Sequence, residues 1–214
     1  VYTAHHSDRV AAMAVVLARV LHLSEDDTTT VQVAAFAHDI GKISMSDAVL
    51  RKAGPLTDAE WEEMRRCPVT GYDILRKVPQ FQRVALIVRH HHERWDGGGY
   101  PDQLAGTAIP LGARIIAVAD SIDAMMSSRS YRPAMTAPVC HHEIEKNSGV
   151  MYDPQVVAAA MNCWDELVSR YTEVETPPTP YFDRLQLEHT RQAHDYLLAN
   201  QGSRITLAEL AARF

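Results

Sequence analysis

The sequence predicts an all-α domain, a linker and a short helical tail. Apolar residues recur at helical spacing through most of the chain up to Val168, whereas the strict alternation typical of strands is scarce. The segment "YTEVETPPTPYFD" then carries three prolines, and helical periodicity resumes after it. We therefore place one domain at 1–171, a linker at 172–184 and a tail at 185–214.

The first half of the domain shows four helical signals. Apolar residues recur at helical spacing over Val10–Leu23, where the pattern ends in the polar "SEDD". A second helix is predicted over Thr29–Ile40. Thr57, followed three residues later by Glu60, forms a capping box that predicts the start of a third helix. Further apolar periodicity covers Tyr72–Val78.

The second half of the domain continues the helical pattern. A helix is predicted over Phe81–Val88, and Pro110 opens another with the sequence "PLGARIIAVADSIDAMM". Asp153 and Pro154 are typical of an N-cap and a first helical position, so they predict a last helix that reaches Val168.

Composition excludes several classes of protein. A net charge of −6 over 214 residues argues against a nucleic-acid binder, although it permits a local basic site. The three cysteines are odd in number and widely spaced, which argues against a disulfide framework and favours a reducing, cytoplasmic location. No apolar run approaches the ~20 residues of a membrane span, and no secretory signal is present. Because the chain opens at Val1 inside a helical pattern, we expect it to be a piece of a longer protein.

Histidine is frequent, with 11 copies, and the stretch "HHHERWDGGGYP" at 90–101 carries three of them. Another, His38, directly precedes Asp39 at the predicted end of an apolar helix. Such a pair has two interpretations: a metal site, or a histidine stabilised by the negative end of the helix dipole. Further candidate ligands on other predicted elements favour the metal site: His6, His91, His92 and Asp120.

Four motifs in order resemble the HD-GYP family, a branch of the HD-domain metal-dependent phosphohydrolases that cleaves cyclic di-GMP. They are "HSDRVA" (6–11), "HDIGK" (38–42), "HHERWDGGGYP" (91–101) and "ARIIAVADSIDAM" (113–125). The resemblance implies an HD-domain helical bundle that hydrolyses cyclic di-GMP to linear pGpG, and further to GMP, by attack of metal-bound hydroxide.

The resemblance also implies a set of site residues. The metal ligands would be His6, His38, Asp39, His91, His92 and Asp120. Lys42 would contact the scissile phosphate and act with Asp39 in catalysis, while Tyr100, Arg129 and Arg132 would hold the dinucleotide. Nitrogen and carboxylate ligands together suit two divalent transition metals, Fe or Mn first and Ni or Zn as alternatives.

Two positions depart from the family pattern. Cys67 stands where the family usually has a ligand histidine. Its thiolate would itself be a good ligand for Zn or Fe, and we therefore include Cys67 in the metal set; the alternative is a small buried packing residue. Tyr2 stands four residues before His6, where some family members carry a glutamate that supports a third cation. Two cations are therefore expected rather than three.

The sequence is also consistent with two other functions and with further partners. The rival to an enzyme is an altered domain that binds cyclic di-GMP or a partner protein and signals to a DNA-binding region; a third hypothesis is hydrolysis of another nucleotide. The tail "TLAELAARF" resembles the start of an AraC-type helix-turn-helix, or forms a helical hairpin on the domain. DNA binding is expected only in a longer chain, because the tail stops before a recognition helix. A homodimer is a further expectation.

Overall fold

The computed structural model describes residues 5–173, apart from 51, 53 and 129–132. All regular structure within these residues is helical, which confirms the predicted all-α class. The helices are α1 (His6–Val20), α2 (Glu25–Ala37), α3 (Asp47–Leu50), α4 (Asp58–Leu75), α5 (Gln82–His90), α6 (Leu111–Met126), α7 (Ala137–Lys146), α8 (Pro154–Asn162) and α9 (Trp164–Glu173). Short 3-10 turns lie at Ile40–Ser44, Pro79–Phe81 and Gly106–Ala108.

Helix α1 lies at the centre of the bundle and packs against α2, α6, α8 and α9. Its side chains at Val10, Met13, Ala14 and Leu17 are fully buried, at the i, i+3, i+4, i+7 spacing of one helix face. Burying a large apolar side chain stabilises the fold by about 1.5–3 kcal/mol. This core fixes the start of α1 beside α6, and both elements contribute to the candidate site.

Two predicted helix starts are confirmed. The Thr57 side chain accepts a hydrogen bond from the Glu60 backbone N–H, while the Glu60 carboxylate accepts one from the Thr57 N–H, so the capping box is complete. Asp153 caps α8 by accepting from the Gln155 N–H, and Pro154 occupies the first turn of that helix.

Helix α4 differs from its prediction. Separate periodicity was expected over Tyr72–Val78, but its first four residues are the end of one continuous helix, which runs through Pro68 and ends at Leu75. Proline removes one backbone hydrogen bond. Helix α4 nevertheless continues, because Cys67, Gly71 and Leu75 are buried on its inner face. Packing here outweighs the local signal.

The C-terminal half shows further differences. The predicted last helix is divided at Cys163 into α8 and α9. Helix α7 was not predicted, since Pro138 suggests a loop, but proline in a first turn removes an N–H that has no intrahelical partner there. Helix α9 continues through residues 172 and 173, which were assigned to the linker. The rest of the predicted linker and tail, 174–214, lies outside the described residues.

None of the helices in the described ranges has the length and apolar character that a bilayer crossing requires.

Candidate metal centre

Helix α1, the end of α2 and α6 bring four of the predicted ligands close together. His38 ends α2, Asp39 follows it, His6 opens α1, and Asp120 lies in α6. His38 Nε2 is 3.2 Å from Asp39 Oδ2. His6 Nε2 is 3.3 Å from His38 Nε2, 3.6 Å from Asp39 Oδ2 and 3.4 Å from Asp120 Oδ1. Two imidazoles and the Asp39 carboxylate thus surround one small volume, and the Asp120 carboxylate lies beside His6.

Two histidines are oriented by hydrogen bonds through Nδ1, which leave Nε2 on the opposite side of each ring. His38 Nδ1 donates to the Ala35 carbonyl at 2.6 Å, and His91 Nδ1 donates to the Val88 carbonyl at 2.7 Å. His91 Nε2 is buried and has no hydrogen-bond partner. An unsatisfied buried polar atom costs about 1–3 kcal/mol, which a cation bound to its lone pair would offset. The donor set therefore fits a divalent transition metal.

A row of aromatic rings leads away from the centre. The ring centroids of His38 and His91 are 5.2 Å apart, those of His91 and His92 are 4.0 Å apart, and those of His92 and Tyr100 are 5.0 Å apart. Burial lowers the pKa of His91 to about 4 and holds the pKa of His92 well below its usual value. Both imidazoles are therefore neutral near pH 7, the form that binds metal.

Asp123 is a site residue that the sequence analysis missed. It is completely buried, and its Oδ2 accepts a hydrogen bond from His6 Nδ1 at 2.6 Å. Arg9 Nε donates to the other carboxylate oxygen at 2.5 Å. A carboxylate behind a ligand histidine fixes the ring and its tautomer. The available signal was its position three residues after Asp120 on one helix.

The charge around His6 is strongly negative. Burial lowers the pKa of His6, but its hydrogen bonds to the Asp123 and Asp39 carboxylates and the charge of Asp120 outweigh burial and raise that pKa to about 9. His6 is therefore protonated near pH 7 when no cation is bound. A cation bound at Nε2 would displace this proton, because metal-bound imidazole is neutral.

We expect Asp123→Asn to weaken both the fold and the site. The buried Arg9 guanidinium loses its carboxylate partner, which costs about 3–5 kcal/mol, and His6 loses its orienting anion. Cation affinity should fall about 10–100-fold, as measured by competition with a fluorescent chelator, and the melting temperature should fall with it. Asp73→Asn is the control, since Asp73 is 52% exposed and pairs with Arg76 on the surface of α4. Unchanged cation affinity in Asp123→Asn would contradict this role.

Lys42 lies beside the centre on the Ile40–Ser44 turn. Its Nζ is 2.8 Å from Asp39 Oδ2, and its side chain is 26% exposed. Burial lowers the pKa of Lys42, but the Asp39 and Asp120 carboxylates outweigh burial and raise it. Lys42 therefore carries a full positive charge at the edge of the site, where a phosphate oxygen can approach.

Cys67 lies on the inner face of α4, close to the centre but also part of an apolar cluster. It is 2% exposed and packs with Met45 and Val49. Burial and the negative charge of Asp39 raise the pKa of Cys67 to about 12, against the opposing charge of Lys42. The thiol is protonated unless a cation displaces the proton. Among the described residues, Cys67 does not join His6, His38 and Asp39, whose ligand atoms lie within 4.8 Å of one another.

The loop after His92 is anchored by Glu93, a second residue that the sequence analysis missed. Its buried carboxylate accepts hydrogen bonds from the backbone N–H groups of Asp102 and Leu104. The peptide between Tyr100 and Pro101 is cis. His90 is 7% exposed and lies beside Glu93 and Asp102.

The structure leaves two predicted substrate contacts untested. Arg129 and Arg132 lie outside the described residues. The predicted ligands His6, His38, Asp39, His91, His92 and Asp120 are brought to one region, and their binding of a cation stays a prediction.

Comparison with known proteins agrees with these motifs. Residues 2–156 match the family described as HD domain. The chain is 44% identical over 156 residues to the cyclic di-GMP phosphodiesterase response regulator RpfG of Xanthomonas campestris, covering 72% of this chain and 41% of that protein. It is 39% identical over 181 residues to the cyclic di-GMP phosphodiesterase of Thermotoga maritima, covering 84% of this chain and 49% of that protein.

A third relative differs in its named substrate. The 3'3'-cGAMP-specific phosphodiesterase 3 of Vibrio cholerae is 38% identical over 173 residues, covering 81% of this chain and 38% of that protein. The chain thus spans less than half the length of each of these three curated relatives.

Two solved structures share the fold. A cyclic GMP-AMP phosphodiesterase of V. cholerae matches with a TM-score of 0.57 at 21% identity, covering 90% of this chain and 48% of that chain. Bd1817 of Bdellovibrio bacteriovorus, an HDG"Y"P protein, matches with a TM-score of 0.62 at 17% identity, covering 76% of this chain and 52% of that chain. On the family match, the chain belongs to the HD domain family, and its motifs and relatives support the HD-GYP type within it.

Proposed function

We propose that this chain is a metal-dependent phosphodiesterase that hydrolyses cyclic di-GMP to linear pGpG and further to GMP. The observation that carries the proposal is the convergence of His6, His38 and Asp39, whose ligand atoms lie within 4.8 Å of one another. Asp120 Oδ1 lies 3.4 Å from His6 Nε2, and the buried Nε2 of His91 has no hydrogen-bond partner. The names of the relatives supply the substrate class.

Two divalent cations, Fe or Mn first and Ni or Zn as alternatives, are proposed for this site. His6, His38, Asp39 and Asp120 would hold one cation, and His91, His92 and the shared Asp39 would hold the other. When bound, such cations stabilise charge on a phosphate and lower the pKa of water toward about 7.

The protein's own side chains position the substrate and the ligands. Lys42 would donate to a non-bridging oxygen of the scissile phosphate, as its ammonium already lies at the edge of the centre. Asp123 holds the His6 ring in place from behind, while Tyr100 packs on His92 and borders the substrate. Arg129 and Arg132 are proposed to hold the dinucleotide.

The role of Cys67 divides into two testable cases. If its sulfur is a ligand, Cys67→Ala loses a cation, whereas Cys67→His restores the family's usual ligand and keeps or raises turnover. If Cys67 only packs against Met45 and Val49, alanine keeps the cation content and costs about 1–2 kcal/mol of stability. We favour ligation, because His91 and His92 would otherwise hold their cation with few protein ligands. Equal cation content in wild type and Cys67→Ala, measured by mass spectrometry of the metals, would contradict it.

The rival function is a binding module that holds the dinucleotide without cleaving it, and the cysteine at position 67 is the observation that favours it. The test uses anaerobically purified protein, with cyclic di-GMP as substrate and chromatography of the products. If the chain is an enzyme, we expect linear pGpG to form. A chelator should stop its formation, and added Mn²⁺ or Fe²⁺ should restore it. If cyclic di-GMP binds but stays intact with every cation tested, the result supports the binding module and contradicts the enzyme.

A further inference from the structure

A cavity of about 770 Å³ lies between α4 and the loop at residues 98–103. Small-molecule sites have volumes of about 300–1,000 Å³, so this cavity has the size of a ligand pocket. One wall is a stripe of α4 at i, i+4 spacing, formed by Trp61, Arg65 and Val69. The opposite wall is the backbone of Gly98 and Gly99 with the side chains that follow.

Tyr100 connects this pocket to the metal centre. Its ring lines the pocket and also packs on His92, at a centroid distance of 5.0 Å. His92 in turn packs on His91, at a centroid distance of 4.0 Å. A ligand that is larger than a single phosphodiester and is bound at the centre can therefore extend past Tyr100 into the pocket.

The side chains on α4 have the chemistry that recognises a nucleotide. Trp61 is 42% exposed, whereas Cys67, Gly71 and Leu75 on the inner face of α4 are buried. Arg65 lies one turn further along the same face, with its side chain 55% exposed and 3.8 Å from Glu62. An accessible indole face stacks on a base whatever its sequence, and a guanidinium recognises phosphate or the acceptor edge of a base.

The local charge also favours an anion. Arg65 and Arg66 both line the pocket, with Glu62 as the acidic residue among its lining side chains. The pocket is thus locally basic in a chain whose net charge is −6. A cyclic dinucleotide carries two phosphates and two bases, so the part that is not at the metal centre matches both the indole and the guanidinium groups.

We propose that this pocket binds the distal half of a cyclic dinucleotide, with a purine base stacked on Trp61 and the distal phosphate contacted by Arg65. The proposal rests on the proposed function. Helix α4 would then distinguish a dinucleotide from a simple phosphodiester. A substrate without a base would contact only the metal centre and not the pocket.

The test compares two substrates in the whole chain: cyclic di-GMP and bis(p-nitrophenyl) phosphate, a small phosphodiester without a base. The ratio of kcat/KM for cyclic di-GMP to kcat/KM for the small substrate should fall about tenfold in Trp61→Ala and in Arg65→Ala. Trp61→Phe should recover part of the ratio, since a ring remains. Arg76→Ala, which removes an exposed arginine at the other end of α4, is the matched control.

The outcomes separate the pocket from the function. If wild type cleaves cyclic di-GMP and the ratio is unchanged in Trp61→Ala and Arg65→Ala, the pocket proposal is overturned and the function stands. If wild type cleaves neither substrate, the proposed hydrolytic function is contradicted. The pocket proposal is then tested by measuring the Kd of cyclic di-GMP by calorimetry. A Kd about tenfold higher in Trp61→Ala then supports the pocket, whereas an equal Kd, or no binding to wild type, overturns it.

Discussion

Replacing Asp39 by asparagine should remove the cation and greatly reduce turnover while the fold persists. Asp39 Oδ2 lies 3.2 Å from His38 Nε2 and 3.6 Å from His6 Nε2, so its carboxylate is shared by the whole group. Asparagine keeps the side-chain volume but lacks the charge that attracts a divalent cation. Since such cations supply several kcal/mol of transition-state stabilisation, turnover of cyclic di-GMP should fall about a thousandfold.

Asp73→Asn is the matched control, because it makes the same chemical change at a carboxylate that is 52% exposed on α4. Metal analysis, product chromatography and the melting temperature are measured on both variants. If Asp39→Asn keeps the cation content and the turnover of wild type, Asp39 is not a metal ligand.

A large loss of stability is also expected from Gly41→Ala. A Cβ added at Gly41 would lie 1.9 Å from the Cys67 carbonyl oxygen and 2.7 Å from the Gly71 backbone nitrogen. Both are main-chain atoms of α4, so the turn and the helix must separate, and no side-chain rotation relieves the contact. Overpacking of this kind costs about 3 kcal/mol or more, which corresponds to a fall of roughly 10 °C in the melting temperature of a domain of this size.

Gly54→Ala is the control for Gly41→Ala, because a Cβ at Gly54 meets nothing within 4 Å. Its free energy of unfolding should stay within about 0.5 kcal/mol of wild type. Because Asp39 and Lys42 flank Gly41 closely, Gly41→Ala should also lower the cation content. A melting temperature equal to that of Gly54→Ala would contradict the close contact between the turn and α4.

Local sequence signals were sufficient where the physical cause is local. The capping box at Thr57 and the N-cap at Asp153 depend on neighbouring residues, and both were predicted. The position of His38 and Asp39 at the end of an apolar helix was equally readable, because helical periodicity stops there. The all-α class follows from the same periodicity.

The remaining features depend on contacts between distant segments. His6 and Asp123 are 117 residues apart, and their hydrogen bond exists only because α1 and α6 pack together. The continuation of α4 through Pro68 depends on burial of its inner face, which no single-residue preference records. Trp61 lies on the helix that the capping box predicted, but its position on a pocket appears only with the loop at 98–103 in place.

Anomalous diffraction from crystals grown with Mn²⁺ tests the metal centre most directly, because it locates the cation without reference to turnover. We expect an anomalous peak for a cation bound by His38 Nε2 and the Asp39 carboxylate, within reach of His6 and Asp120, at metal–ligand distances of about 2.0–2.3 Å. A second peak beside His91 and His92 would establish two cations. Crystals that show no peak at His38 and Asp39, with Mn²⁺ bound elsewhere or not at all, would contradict the metal centre and the hydrolytic function built on it.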